Sequence, residues 1–414
     1  MPFIQILFSW TSPFVISVLV AVLASAPAVA SPEETPNRVL WCRPPVKNLP
    51  EMMTCADGAK VSSVRDWETK RRGEVLDFFT HQIYGVRPVE RPANLSFEPI
   101  DADRVMLDGQ AIRKRIEVRY AGPLGSGSFT ITAFIPTARR PAPAFVLICN
   151  RDPKENLDPE RNRKTEFWPV EEIVKRGFAA IAFYNGELSS DEYREELTDG
   201  VHAVFGPKTR TDESWGSFSA WAWGASRVMD WIETEPSLDA SRVAVVGHSR
   251  GGKTSLWVGA TDTRFALTCV NDSGCGGARL NRVTLPLAET FSLIDIVNPH
   301  WFCLNHRNWD YRDRELPFDQ HELMALIAPR LLAVGSASLD WGAGPYGEYL
   351  SCLHASPAWE LYGRIGLKPS AFPEEGAECS EGSLSYHLRK GGHDLNLEDW
   401  TVYMNFAERH GWGQ

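Results

Sequence analysis

The chemistry-bearing core of this sequence is Gly247-His248-Ser249-Arg250-Gly251, which directly follows the apolar run Val243-Ala244-Val245-Val246. A G-x-S-x-G sequence between a strand and a helix forms a sharp turn that lifts the serine hydroxyl above the end of a sheet. The glycines let the helix start close to the strand, and the helix N-terminus then faces a developing oxyanion. Ser249 is therefore the candidate nucleophile. A serine needs a base, and the base needs an orienting carboxylate. In this strand–turn–helix context the chain order is serine, acid, histidine. Of the ten histidines, His393 in Gly391-Gly392-His393-Asp394 precedes the last expected helix and is the candidate base. His387 falls at the end of an expected strand, and His410 lies too near the end of the sequence. His248 reads as a packing residue, while His300, His306 and His321 read as structural or substrate-lining groups. Two carboxylates compete for the acid: Asp340, after the expected strand 330–334, and Asp272, at the end of the preceding strand. Asp340 is preferred, with a shared role left open.

These groups need a scaffold. Residues 144–149 form a continuous apolar run, as expected for a parallel strand buried on both faces. Further strands are expected at 177–183, 243–246, 265–270 and 330–334. The intervening helices are expected around 170–176, 215–233 and 253–260, with a closing helix at 399–409. This alternation predicts an α/β fold, a three-layer αβα sandwich around a mostly parallel sheet. Residues 113–120 and 128–135 alternate like antiparallel strands and place an antiparallel edge before the parallel core. An amphipathic helix is expected over 66–84, with Asp66 as its N-cap and Gly85 after its end. The expectation is one catalytic domain over 31–414, carrying an insertion at about 276–325.

The chain has 414 residues and a formal net charge of −10, with 43% hydrophobic and 23% charged residues. Those fractions are globular ones and exclude disordered, collagen-like and coiled-coil classes. An acidic balance without a basic run argues against nucleic acid as the partner. The fifteen tryptophans read first as core residues, and as platforms for sugar rings second. Residues 1–30 are apolar and uncharged, with the h-region at Phe14–Leu23 and Ala28-Val29-Ala30 as the cleavage site. This reads as a secretory signal peptide, implying a secreted or periplasmic protein with no stable membrane association after cleavage. Of eight cysteines, Cys42 and Cys55 are the candidate disulfide pair. None has zinc-type spacing, and no metal or cofactor is expected.

These residues resemble the glucuronoyl esterases, carbohydrate esterase family 15, in their bacterial form. The family elbow G-C-S-R-x-G-K matches Gly247-His248-Ser249-Arg250-Gly251-Gly252-Lys253. Its E-S-G-x-G-G looks like Asp272-Ser273-Gly274-Cys275-Gly276-Gly277. Its P-W-F looks like Pro299-His300-Trp301-Phe302, and its L-P-F-D-H-H…A-L-I-A-P-R like Leu316-Pro317-Phe318-Asp319-Gln320-His321…Ala325-Leu326-Ile327-Ala328-Pro329-Arg330. An N-terminal pattern matches at Asp57-Gly58, Val61, Asp66-Trp67, Arg71-Arg72 and Tyr84-Gly85…Pro88. The matches run in order along most of the mature chain.

The resemblance implies an α/β-hydrolase that cleaves the ester between lignin alcohols and the 4-O-methylglucuronic acid of glucuronoxylan. Carried over by motif, it gives Ser249 as nucleophile, His393 as base and Arg250 as a contributor to the oxyanion hole. Lys253, Glu289, Trp341 and Trp301 become sugar contacts. His248 replaces the family's cysteine, so the disulfide that ties the serine loop to the histidine loop in fungal members has no counterpart here. Asp272 replaces a glutamate and is one methylene shorter. Some bacterial members carry the acid after the next strand, at the position of Asp340. Two other readings compete: another carbohydrate esterase, such as an acetylxylan esterase, and a degenerate hydrolase that binds glycans.

Overall fold

The computed structural model describes residues 46–283, 287–368 and 371–413. The expected signal peptide and Cys42 lie outside the described residues. Cys55 is buried.

An 11-stranded sheet organises the chain. In sequence order the strands are β1 (Ser96–Pro99), β2 (Arg104–Met106), β3 (Ala111–Gly122), β4 (Gly125–Pro136), β5 (Ala142–Cys149) and β6 (Ala179–Tyr184). They continue with β7 (Leu238–His248), β8 (Leu267–Asn271), β9 (Leu331–Ala337), β10 (Ala377–Cys379) and β11 (Leu384–Arg389). The spatial order is β1-β3-β4-β6-β5-β7-β8-β9-β11-β10, with β2 on β3. The block from β6 through β5, β7, β8 and β9 to β11 is parallel. β4 joins it antiparallel, so the expected antiparallel N-terminal edge is present.

Strand periodicity explains the two cores. Every residue of β5 is buried. Ala142, Ala144, Val146 and Ile148 face one cluster, while Phe145, Leu147 and Cys149 face the other. Side chains alternate across a strand, so a strand buried on both faces must be apolar throughout. One cluster takes the Trp-rich helix Ser217–Ile232, the helix Arg250–Thr261 that follows Ser249, and the helix Pro345–Leu361. The other takes Val170–Lys175 and the closing helix Leu397–Arg409. Every residue of Ser217–Ile232 is buried, so its tryptophans are core residues. Trp257 stacks on Tyr84 with centroids 4.1 Å apart and fixes the serine helix against the N-terminal one. A stacked pair of this kind adds roughly 0.5–1.5 kcal/mol to the area it buries.

The N-terminal helix runs over residues 64–84 and includes two π-helical segments. Its cap differs from the expectation. Ser63 is the N-cap and accepts from the Asp66 amide, while the Asp66 carboxylate accepts from the Ser62 amide and hydroxyl. Both residues suit a cap chemically, and the extended backbone at Ser63 decides between them. The insertion between β8 and β9 carries the short helices Phe291–Val297 and Gln320–Ala325. Among the described residues, no helix is long and apolar enough to cross a membrane.

Candidate active site

The turn at Ser249 has the expected strain. Ser249 has φ 57° and ψ −123°, a conformation costly for a residue with a side chain. A Cβ on Gly247 would sit 1.9 Å from the Gly251 carbonyl oxygen, so only glycine fits there. The Ser249 amide donates to the Asn271 carbonyl at 2.8 Å, tying the turn to β8. The helix Arg250–Thr261 begins at the next residue and directs its amide dipoles toward the hydroxyl.

His393 lies in the loop after β11, and Asp340 lies three residues beyond β9. Adjacent parallel strands bring the two together. Backbone hydrogen bonds from Ser338 to Arg389 and from Leu339 to Gly391 stitch the two segments. The His393 Nδ1–H donates to Asp340 Oδ2 at 2.6 Å. Asp340 is 6% exposed and accepts from the Ala343 amide on its other oxygen. Fixing Nδ1–H in this way leaves Nε2 as the basic nitrogen.

Asp272 stands beside this pair without taking its hydrogen bond. It accepts from Arg389 Nη2 at 3.1 Å and from the Asp394 amide at 3.3 Å. Ligand atoms of Asp272, Asp340 and His393 lie within 4.8 Å of one another. Burial pushes the Asp272 carboxyl well above the usual carboxylate range; Asp340 and Asp399 add to this, and Arg389 opposes it. Arg389 also bonds Asp399, which in turn accepts from His387. His387, expected at a strand end, lies within β11 and belongs to this supporting network.

His248, the residue before Ser249, packs beside His393. Its ring centroid is 4.5 Å from that of His393, and its Nδ1–H donates to Asn271 Oδ1 at 2.6 Å. Burial, followed by His393 and Arg151, pushes this imidazole well below its usual value and keeps it neutral. Arg151 packs on Phe167 and bridges to Asp394, next to His393. These contacts hold the histidine loop against the serine loop without a covalent link.

One helical turn after Ser249, Lys253 is 2% exposed. Its ammonium donates to the Ser273 carbonyl at 2.6 Å and to Glu289 at 3.0 Å. Gly274, at φ +63°, takes a backbone conformation that favours glycine, and a Cβ there would sit 2.8 Å from Glu289 Oε2 and 3.0 Å from the Ala343 Cα. Beneath this loop Glu348 accepts from the Ser273 and Gly274 amides and from Ser336. Trp341, adjacent to Asp340, is half-buried. Trp301 differs from an open platform. It is 1% exposed, and its ring packs on Phe218. Its Nε1–H donates to Asp191.

Asp191 is the residue that sequence reasoning missed. It pairs with Arg250 at 2.8 Å and also accepts from Trp301 and His300. The available signal was its place in a polar run just beyond buried β6, at the carboxyl end of a parallel strand, where open α/β sheets bind ligands.

A second cluster, Asp295, His306 and Asp310, lies in the insertion with donor atoms within 4.8 Å. His306 bonds Asp295 and is stacked between Phe291 and Phe302. Burial, then Asp295, raises the Asp310 carboxyl to about 6.

The arrangement can perform acyl transfer: a strained serine at a helix N-terminus, an imidazole oriented by a buried carboxylate, and an arginine beside the serine. Comparison with known proteins points the same way. Residues 126–363 match the family model described as glucuronyl esterase, fungi. A prokaryotic carbohydrate esterase, MZ0003, is 34% identical over 88% of this chain and 90% of its own length. The 4-O-methyl-glucuronoyl methylesterase of Thermothelomyces thermophilus is 29% identical over 88% of this chain and 87% of its own. The solved glucuronoyl esterase from Solibacter usitatus superposes with a TM-score of 0.82 at 32% identity, covering 89% of this chain and 99% of that one.

Proposed function

From the premise that this chain belongs to the glucuronoyl esterases of carbohydrate esterase family 15, we propose that Ser249, His393 and Asp340 form its catalytic triad. The protein is a carboxylic ester hydrolase acting on esters of 4-O-methyl-glucuronic acid or glucuronic acid. The observation that carries the site reading is the 2.6 Å bond from His393 to Asp340, with the His393 ring 4.5 Å from that of His248, the neighbour of the strained Ser249.

In this mechanism His393 Nε2 takes the Ser249 proton as the hydroxyl oxygen attacks the C6 carbonyl of the uronate. Charge on the carbonyl oxygen is met by backbone N–H groups at the helix start and by Arg250. The tetrahedral intermediate collapses, the alcohol leaves with the proton from His393, and a glucuronoyl ester remains on Ser249. Water, deprotonated by His393, then hydrolyses it. Asp340 holds the imidazole in the productive tautomer and stabilises its charged form. Asp272 supports the loop through Arg389. The Lys253–Glu289 pair supplies a charged donor and an acceptor for sugar hydroxyls, with Trp341 at the rim and Trp301 as a wall behind Lys253. We read residues 1–30 as a cleaved export signal and 31–414 as one catalytic domain. The substrate in lignocellulose would then be the glucuronoxylan–lignin ester.

The test is turnover of benzyl glucuronate against 4-nitrophenyl acetate. Cleavage of the glucuronate, lost in Ser249→Ala, supports the reading. Acetate turnover without glucuronate turnover rejects the uronate assignment and favours an acetyl esterase.

A further inference from the structure

Resting on the reading of Ser249 and Arg250 above, we propose that Asp191 is a positioning residue that sets the Arg250 guanidinium for the oxyanion and locks it to the wall of the sugar site. The Asp191 carboxylate uses both oxygens. Oδ2 takes Arg250 Nη1 at 2.8 Å. Oδ1 accepts from Trp301 Nε1 at 2.7 Å and from His300 Nε2 at 3.1 Å. Its two ring N–H partners are fixed: Trp301 is 1% exposed and His300 is fully buried. The loop that carries Asp191 is fixed as well. Trp221 Nε1 donates to the Ser189 carbonyl, Ser189 and Ser217 hydroxyls pair, and Arg194 bonds both Ser189 and Ser190.

An arginine side chain is long and rotamer-rich, and ordering it opposes catalysis by entropy. A carboxylate anchored by two rigid donors removes that freedom before substrate arrives, which is the preorganisation that oxyanion stabilisation requires. The guanidinium is a planar fork, so holding Nη1 restricts where the remaining N–H groups can point. The same carboxylate is shared with Trp301, over whose ring the Lys253 ammonium lies at 5.9 Å. The oxyanion arm and the sugar wall therefore hang on one group.

The consequence is kinetic. The oxyanion charge exists only in the transition state, so misplacing Arg250 lowers kcat and leaves KM nearly unchanged. Asp191→Asn keeps an acceptor for Trp301 and His300 and removes the charge that holds Arg250. Asp191→Ser serves the same cycle should the Asn variant fail to fold, as judged by circular dichroism. The experiment measures kcat and KM on 4-nitrophenyl acetate and benzyl glucuronate for wild type, Asp191→Asn, Arg250→Ala and the double variant. The expected result is a kcat loss of ~10–100-fold in Asp191→Asn, the scale of an ångström-sized misplacement. In the Arg250→Ala background the same change should add no further loss. An unchanged kcat, or losses that multiply in the double variant, overturns the inference. The acetate separates it from the substrate reading: a non-additive cycle on acetate with no glucuronate turnover upholds Asp191 and rejects the uronate. An acetate rate that survives Ser249→Ala rejects the site and this inference with it.

Discussion

The two acidic residues beside His393 should respond very differently to loss of charge. Asp340 is 6% exposed and bonds Nδ1 directly at 2.6 Å. In the proposed mechanism His393 takes the serine proton, and an imidazolium forms next to that carboxylate. Two unit charges ~4 Å apart at an effective dielectric constant of ~20 attract by ~4 kcal/mol. Removing that attraction lowers the rate by ~10³-fold. An amide at this position also ceases to select the Nδ1–H tautomer, which adds to the loss. Asp272 differs in each respect. It bonds Arg389 and a backbone amide rather than the imidazole, and burial favours its protonated form. Asparagine keeps an oxygen that can accept from Arg389 and the Asp394 amide, so Asp272→Asn should cost less than ~10-fold in kcat, the size of one modest hydrogen-bond change. The assay is kcat for benzyl alcohol release from benzyl glucuronate between pH 5 and 9, with circular dichroism confirming the fold of each variant. A larger kcat loss in Asp272→Asn than in Asp340→Asn would refute this assignment of the acid.

Three further outcomes follow from the same structure. Ser249→Gly should abolish turnover and raise stability by ~1 kcal/mol, because glycine relaxes the φ 57° backbone while losing some chain entropy; chemical denaturation reads the shift. The Asp310 carboxyl is raised to about 6 by burial and then Asp295, so the folded state holds its proton more tightly than the unfolded chain. That stabilisation is complete below the unfolded value of ~4 and is lost as pH rises through about 6. Asp310→Asn should accordingly raise Tm at pH 7.5 and have no such effect at pH 3.5. His202 and His321 are pushed down to about 3, chiefly by burial, so their neutral forms stabilise the fold above the unfolded value of ~6.5, and that stability is lost as pH falls toward about 3. His321→Gln should flatten the decline in Tm between pH 6.5 and 4.

The residues that sequence made legible are those whose chemistry is tied to local pattern. Gly247 precedes the His248-Ser249 turn because a Cβ there would clash with the Gly251 backbone, and at Gly251 a Cβ would crowd the Ile148 carbonyl, a constraint written in five consecutive letters. Asp340 could be preferred because the order of parallel strands places the ends of β9 and β11 side by side. The runs at 144–149 and 243–246 fall within β5 and β7, since burial on both faces demands an apolar run. What sequence left hidden depends on contacts between distant segments. Asp191 lies 59 positions from Arg250 and is an ordinary polar loop residue until the fold joins them. The partnership of His248 with Asn271 and His393 is equally non-local. Trp301 shows how burial changes the reading of a motif. Its ring is buried, so its part is to support the site from behind. Ser63 rather than Asp66 caps the first helix because both residues have capping side chains and only backbone geometry separates them.

The central claim is covalent: Ser249 carries the glucuronoyl group during turnover. The most direct measurement is acid quenching of the enzyme during steady-state cleavage of benzyl glucuronate, followed by mass analysis of the peptide containing Ser249. The account predicts a glucuronoyl ester on Ser249, together with loss of both adduct and turnover in Ser249→Ala. Turnover that persists in Ser249→Ala, or an adduct on a different residue, would contradict it.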